Sequence, residues 1–157
     1  MSFAMGRYFE DFHEGEEIRT LGRTVTEADI VNFSGFSGDF NPLHTDAEYA
    51  ATQPFKARIA HGMCGFSMAV GLLVRTNVFE GTILAFFGIE NWRFKEPVMI
   101  GDTIHAIAKV AEKKETSKLD RGLMIFDFNV INQKGISVMS GGLRCMMLRK
   151  PKHPSLG

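Results

Sequence analysis

The chain has 157 residues, with 18 lysines and arginines balancing 18 aspartates and glutamates. Apolar residues make up 45% and charged residues 23%, the proportions of one globular domain with a real core, which argues against a disordered segment. A neutral chain without a basic block lacks the electrostatic footprint of a nucleic-acid binder, so an anionic ligand has to be held by a local cluster.

The opening segment, MSFAMGRYFEDFHEGEE, has no apolar run of signal-peptide length and turns acidic early. Thr26, followed three residues later by Asp29, is a capping-box-like helix start. Ile30, Val31, Phe33 and Phe36 then give that helix a crude apolar face, and Gly35 and Gly38 weaken and end it. From 39 to 45 the chemistry is that of a turn, because a proline at 42 disfavours α geometry at Asn41. Residues 46–52 fit one or two helical turns. The segment 61–79 predicts a longer helix, apolar on nearly every face, which in a soluble protein means a helix surrounded by other structure. Arg75, Asn77 and three glycines in this segment argue against a membrane span.

The second half reads as strands: 83–89 running on to Trp92 and Phe94, then 103–110, 124–131 and 136–148. Met124, Phe126, Phe128 and Val130 alternate cleanly with their neighbours. Gly141-Gly142 inside the last strand predicts a bulge or a close backbone approach. The tail KPKHPSLG reads as a frayed end. A buried helix followed by four strands predicts an α+β fold in which an antiparallel sheet curls around the helix, and pairing of two copies is expected. Cys64 and Cys145 lie far apart, match no CxxC or zinc spacing, and are expected to be buried free thiols in a reducing, cytoplasmic compartment.

Chemistry concentrates in SGDFNPLHTDAEYAATQPFKARIAHG, residues 37–62. Asp39 and His44 are five residues apart across an Asn-Pro turn, so a compact loop can bring a carboxylate and an imidazole to one spot, a sufficient pair for acid–base work near neutral pH. A solvated turn is the competing reading. Asn41 can tie the loop together through its own amide. His61 and Gly62 open the apolar helix, where unpaired amides carry partial positive charge and a glycine admits a close ligand atom; a capping or packing glycine and a structural histidine are the alternatives. Asp39, His44, Asp46 and His61 can also be posed as metal ligands, but their spacing matches no known ligand run.

This stretch closely resembles the hydratase motif of the MaoC-like family, which includes the (R)-specific enoyl-CoA hydratases. The motif is an acid, one residue, Asn-Pro, one residue, His, and here it is Asp39-Phe40-Asn41-Pro42-Leu43-His44 with AHG at 60–62. YFEDFHEGEEI, GRTVTEADIVNFSGFSGD and FKEPVMIGDTI are similar to family sequence at the right relative positions, so the resemblance runs from about Tyr8 to Leu148. It implies a hot-dog fold working as a dimer or an assembly of dimers. It implies Asp39 and His44 as the catalytic pair, Gly62 as the amide that holds a thioester carbonyl, and Asn41 as a loop-shaping or water-contacting residue. The implied reaction is hydration of trans-2-enoyl thioesters of CoA, or of acyl-carrier protein, to (R)-3-hydroxyacyl thioesters, and its reverse, without metal or redox cofactor. An acyl-thioesterase and a non-catalytic acyl-thioester binder are the alternatives. Phe33, Phe36, Phe40, Phe55 and Phe66 are candidates for an acyl tunnel against plain core packing. Lys56, Arg58, Arg93 and Lys95 are candidates for CoA phosphates against a solvated surface.

Overall fold

A computed structural model describes residues 6–151. The first five residues and 152–157 lie outside the described residues, and most of the tail read above as frayed falls there. In chain order the elements are β1 (Glu17–Arg19), β2 (Arg23–Thr24), α1 (Glu27–Ser37), α2 (Pro42–Thr45), α3 (Ala47–Thr52), α4 (Gly62–Val74), β3 (Ile83–Phe94), β4 (Thr103–Glu115), β5 (Arg121–Asn132) and β6 (Ser137–Leu148). All strands join one antiparallel sheet in the order β1-β4-β5-β6-β3, with β2 on β4. The helix α4 packs across β4 and presents Phe66, Ala69 and Leu73 to the core. The alternating residues of β4, β5 and β6 form one core with α4, and Met124, Phe126, Phe128 and Val130 lie in it with at most 1% exposure. This is the helix-in-sheet arrangement that the burial argument required.

Local chemistry accounts for the differences from the sequence reading. The capping box of α1 forms as expected, with Thr26 accepting from the Asp29 amide and Asp29 accepting from the Thr26 amide, and Gly38 closes the helix in the left-handed region at φ 77°. The stretch expected as a turn holds one turn of helix, because Pro42 sits at its first position, where its fixed φ suits a helix and no amide is missed. The helix predicted over 61–79 stops at Val74. Thr76 and Asn77 donate to Leu73 and Val74, which tightens the last turn, and Asn77 at φ 61° reverses the chain. Phe79, read as helical, is instead a buried loop residue whose ring lies 5.7 Å from that of Phe126 and 6.0 Å from that of Phe12. The short strands β1 and β2 gave no sequence signal, since Ile18 is the one buried residue among their five.

Both cysteines are buried and free. Burial pushes the Cys145 thiol up to about 12 and raises that of Cys64, so both stay protonated at neutral pH.

Candidate active site

Three local devices aim the polar side chains at one place. The Asp39 carboxylate accepts the Asn41 amide at 3.1 Å, and the Asn41 side-chain oxygen accepts the Leu43 amide at 2.9 Å. These two Asx-type bonds fold residues 39–43 back on themselves and start α2. The Thr45 hydroxyl then donates to the Phe40 and Asn41 carbonyls at 3.1 Å each, which locks the loop from its far side. The Asn41 side chain thus bonds within its own loop, at the start of α2.

His44, on α2, places Nδ1 2.8 Å from the Ile59 carbonyl. A carbonyl oxygen only accepts, so Nδ1 carries the hydrogen and the neutral ring keeps its lone pair on Nε2. His61 caps α4 from 17 residues downstream, and its ring centroid lies 3.8 Å from that of His44. The Nε2–H of His61 points to the Asp39 carbonyl at 3.0 Å and the buried Ser34 hydroxyl at 3.3 Å. One buried imidazole therefore ties the Asp39 loop, α1 and the start of α4 together, with Phe33 against its ring at 4.9 Å. Its Nδ1 is buried without a partner. The sequence reading weighed His61 as a structural residue against a functional one; its ring bonds to the Asp39 loop and α1 and lines the same cavity as Asp39 and His44.

Gly62 is the first residue of α4, so its amide has no partner within the helix. A Cβ at this position would lie 2.8 to 3.0 Å from the Phe94 ring, so the space left by the missing side chain is taken by that ring. The glycine is therefore a packing glycine as well as a helix opener. Asp39, His44, His61 and Gly62 share a cavity of about 560 Å³ whose remaining wall is mainly apolar.

Of the five phenylalanines considered for a tunnel, Phe33 and Phe55 line this cavity. Phe36 and Phe40 do not; they are 89% and 63% exposed. Phe66 is turned to the sheet, its ring 4.7 Å from that of Trp92. Phe94, Val98 and Met139 are wall residues that the sequence reading missed, because they come from the strand half and only folding brings them to the motif. Among the cations, Lys95 lines the cavity. Lys56 and Arg58 border a separate pocket where Arg58 grips Glu27 through two bonds of 2.7 and 2.6 Å, and Arg93 is exposed on β3.

One ligand atom each from Asp39, His44 and His61 lies within 4.8 Å of the others. Asp46, the fourth residue posed as a ligand, instead caps α3 by accepting the Tyr49 amide at 2.9 Å. Two of the four imidazole nitrogens already hold hydrogens toward carbonyl oxygens. A cation would be left with the Asp39 carboxylate, His44 Nε2 and the buried His61 Nδ1, one donor short of a closed four-coordinate shell.

Residues 11–124 match the family described as the MaoC like domain. Protein MaoC of Klebsiella aerogenes is 43% identical over 115 residues, 73% of this chain, and the chain spans only 33% of that relative's length. An (R)-specific enoyl-CoA hydratase of Rhodospirillum rubrum is 43% identical over 109 residues, 66% of this chain and 69% of that protein. The X-ray structure of a monoamine oxidase regulatory protein from Archaeoglobus fulgidus superposes with a TM-score of 0.88 at 38% identity, over 94% of this chain and 98% of that one. For the fold alone, a Mycobacterium tuberculosis protein described as a double hot-dog fold aligns at 19% identity with a TM-score of 0.79, over 95% of this chain and 46% of that one. With an antiparallel sheet around α4 and a family match over most of its length, the chain has the hot-dog fold and belongs to the MaoC-like domain family.

Proposed function

We propose that this protein hydrates trans-2-enoyl thioesters to (R)-3-hydroxyacyl thioesters and catalyses the reverse dehydration. What supports the reading is that Asp39, His44 and Gly62, whose amide has no partner within α4, line one cavity with an apolar wall. In the forward direction the thioester oxygen accepts a hydrogen bond from the Gly62 amide. The oxygen of a water molecule bonds to C3 while Asp39 takes one of its protons and His44 orients it through Nε2. The electron pair of the C2=C3 bond moves toward the thioester carbonyl, where the amide and the helix dipole stabilise it. The proton taken from water then returns by way of His44 to C2, so that only H–OH has been added. Removing one such amide donor typically raises a barrier by about 3–4 kcal/mol. None of these steps uses a metal, and turnover is expected to survive EDTA.

The thioester carrier is CoA or acyl-carrier protein; Lys95 beside the cavity is the available cation for an anionic carrier. A second copy of the chain pairing along β3 completes the assembly, because that edge strand leaves Phe87 60% and Ile89 42% exposed. Two protonated, buried thiols suit a reducing cytoplasm. Among the described residues no helix is long and apolar enough to cross a membrane.

The test is the purified protein with crotonyl-CoA. Loss of the conjugated-enoyl absorbance without free thiol supports hydration, appearance of free thiol moves the reading to a thioesterase, and no change with any enoyl-thioester leaves a binding protein. Asp39→Asn and His44→Ala are each expected to lower kcat by about a hundredfold or more, the usual scale for acid–base residues. Near-normal turnover in both variants removes them from the mechanism.

A further inference from the structure

We propose that the methyl end of Met139, lodged against Gly65, forms a movable floor that limits the acyl chain this cavity takes, so that the protein favours short-chain enoyl thioesters. The inference rests on the hydratase reading and adds the substrate class. Met139 lies on β6 at 2% exposure, directly opposite Phe94 of β3 in the sheet register, and both line the cavity. The polar groups that would hold the thioester and the water are Asp39, His44 and Gly62, so an apolar tail entering past them runs toward this buried wall. Gly65 lies three residues beyond Gly62, about 4.5 Å further along the α4 axis.

Met139 fills the space that a side chain at Gly65 would need. A Cβ built on Gly65 would lie 2.7 Å from the Met139 methyl and 3.8 Å from its sulfur. The methyl therefore sits in the notch that the missing side chain of Gly65 leaves in α4. Methionine is unbranched, with three rotatable bonds, so its end moves more readily than the backbone on either side. The rest of its surroundings is the packed core, and the open space beside it is the cavity. Filling the notch sends the methyl into the cavity and shortens it; cutting the methionine back deepens it. The two substitutions thus act in opposite directions on chain length, which general damage to the fold does not do.

The experiment compares kcat/KM for crotonyl-, hexenoyl-, octenoyl- and dodecenoyl-CoA in the full-length protein and in Met139→Ala, Met139→Val and Gly65→Ala. The readout is the octenoyl-to-crotonyl ratio, from which a smaller fraction of folded enzyme cancels. The wild-type ratio is expected below one. Met139→Ala raises it tenfold or more, Met139→Val raises it by less, and Gly65→Ala lowers it tenfold or more. A wild-type ratio above one, or ratios that stay within twofold in all three variants while crotonyl-CoA is still hydrated, overturns the floor and leaves the hydratase reading standing. If no enoyl-CoA is turned over, the hydratase reading fails, and the floor is read from the octanoyl-CoA to butyryl-CoA Kd ratio by calorimetry. The same opposite shifts in binding support it, and an unchanged ratio overturns it.

Discussion

Strands β5 and β3 are each twelve residues long and both rich in phenylalanine, isoleucine and leucine, yet the fold treats them in opposite ways. β5 lies between β4 and β6 and buries every second side chain in the core, with a single register shift against β6. β3 pairs with β6 alone, shifts register three times along it, and leaves Leu84, Phe86 and Phe87 43 to 60% exposed. A strand with two neighbours and one covered face needs alternation. An apolar edge strand without alternation is an association site, and proteins normally blunt such edges unless something pairs with them. The contrast divides the molecule into a sheet centre that a single chain buries and an edge that it leaves exposed.

The largest expected effect lies at the centre. Phe126 is fully buried in β5, with ring centroids 5.7 Å from Phe79 and 6.3 Å from Phe12, so it joins the sheet to both the segment after α4 and the segment before β1. Phe126→Ala is expected to cost about 3–5 kcal/mol, as cavities in phenylalanine sites do, measured by urea denaturation. A loss of less than about 1 kcal/mol would mean that the core is not organised around β5.

A smaller effect is expected where the two strand types meet. The β3 backbone bulges opposite β6 between Glu90 and Arg93, with Asn91 at φ 50°. A Cβ on Gly141 would fall 2.8 Å from the Trp92 Cα and 2.9 Å from the Glu90 carbonyl, both main-chain atoms that cannot swing away. Gly141→Ala is expected to cost about 1–3 kcal/mol in the same measurement, the scale of overpacking. The neighbouring Gly142→Ala, whose Cβ finds nothing nearer than 3.4 Å, serves as the tolerated control. Equal effects at the two glycines would show that the bulge does not depend on the close approach.

How much of this was legible in the sequence follows the range of the interactions. Local chemistry read well: the capping box at Thr26, the left-handed Gly38, the alternation of β5 and the close approach at Gly141 depend on residues a few positions apart or on one residue type. The end of α4 did not read well, because an apolar loop carrying Phe79 is indistinguishable by composition from another helical turn until the chain reverses at Asn77. The polar end of the candidate site was visible as a motif, since Asp39, Asn41 and His44 are set by one loop. Its apolar end was not, since Phe94, Val98 and Met139 reach it from another half of the chain through sheet register. His61 falls between the two cases. Its place before Gly62 was plain, but the 3.8 Å stacking on His44 depends on α2 and α4 docking, which no spacing encodes.

The smallest expected change to the single chain is the one that best separates edge from centre. Phe87 is 60% exposed on β3, so replacing it with serine removes little buried area from one copy, and surface changes of this kind usually stay within about 0.5 kcal/mol. If a second copy covers this edge, the same substitution removes a large apolar side chain from an interface, where such residues carry most of the binding energy. Analytical ultracentrifugation is then expected to find the wild type as a dimer, or a multiple of one, and Phe87→Ser shifted toward the monomer. Thermal midpoints supply an independent reading, because dissociation coupled to unfolding makes the midpoint rise with protein concentration. That dependence is expected in the wild type and should weaken in the variant. A wild type that sediments as a monomer with a concentration-independent midpoint would mean that the exposed apolar edge of β3 tolerates water unaided, and the division between a finished centre and an unfinished edge would not hold.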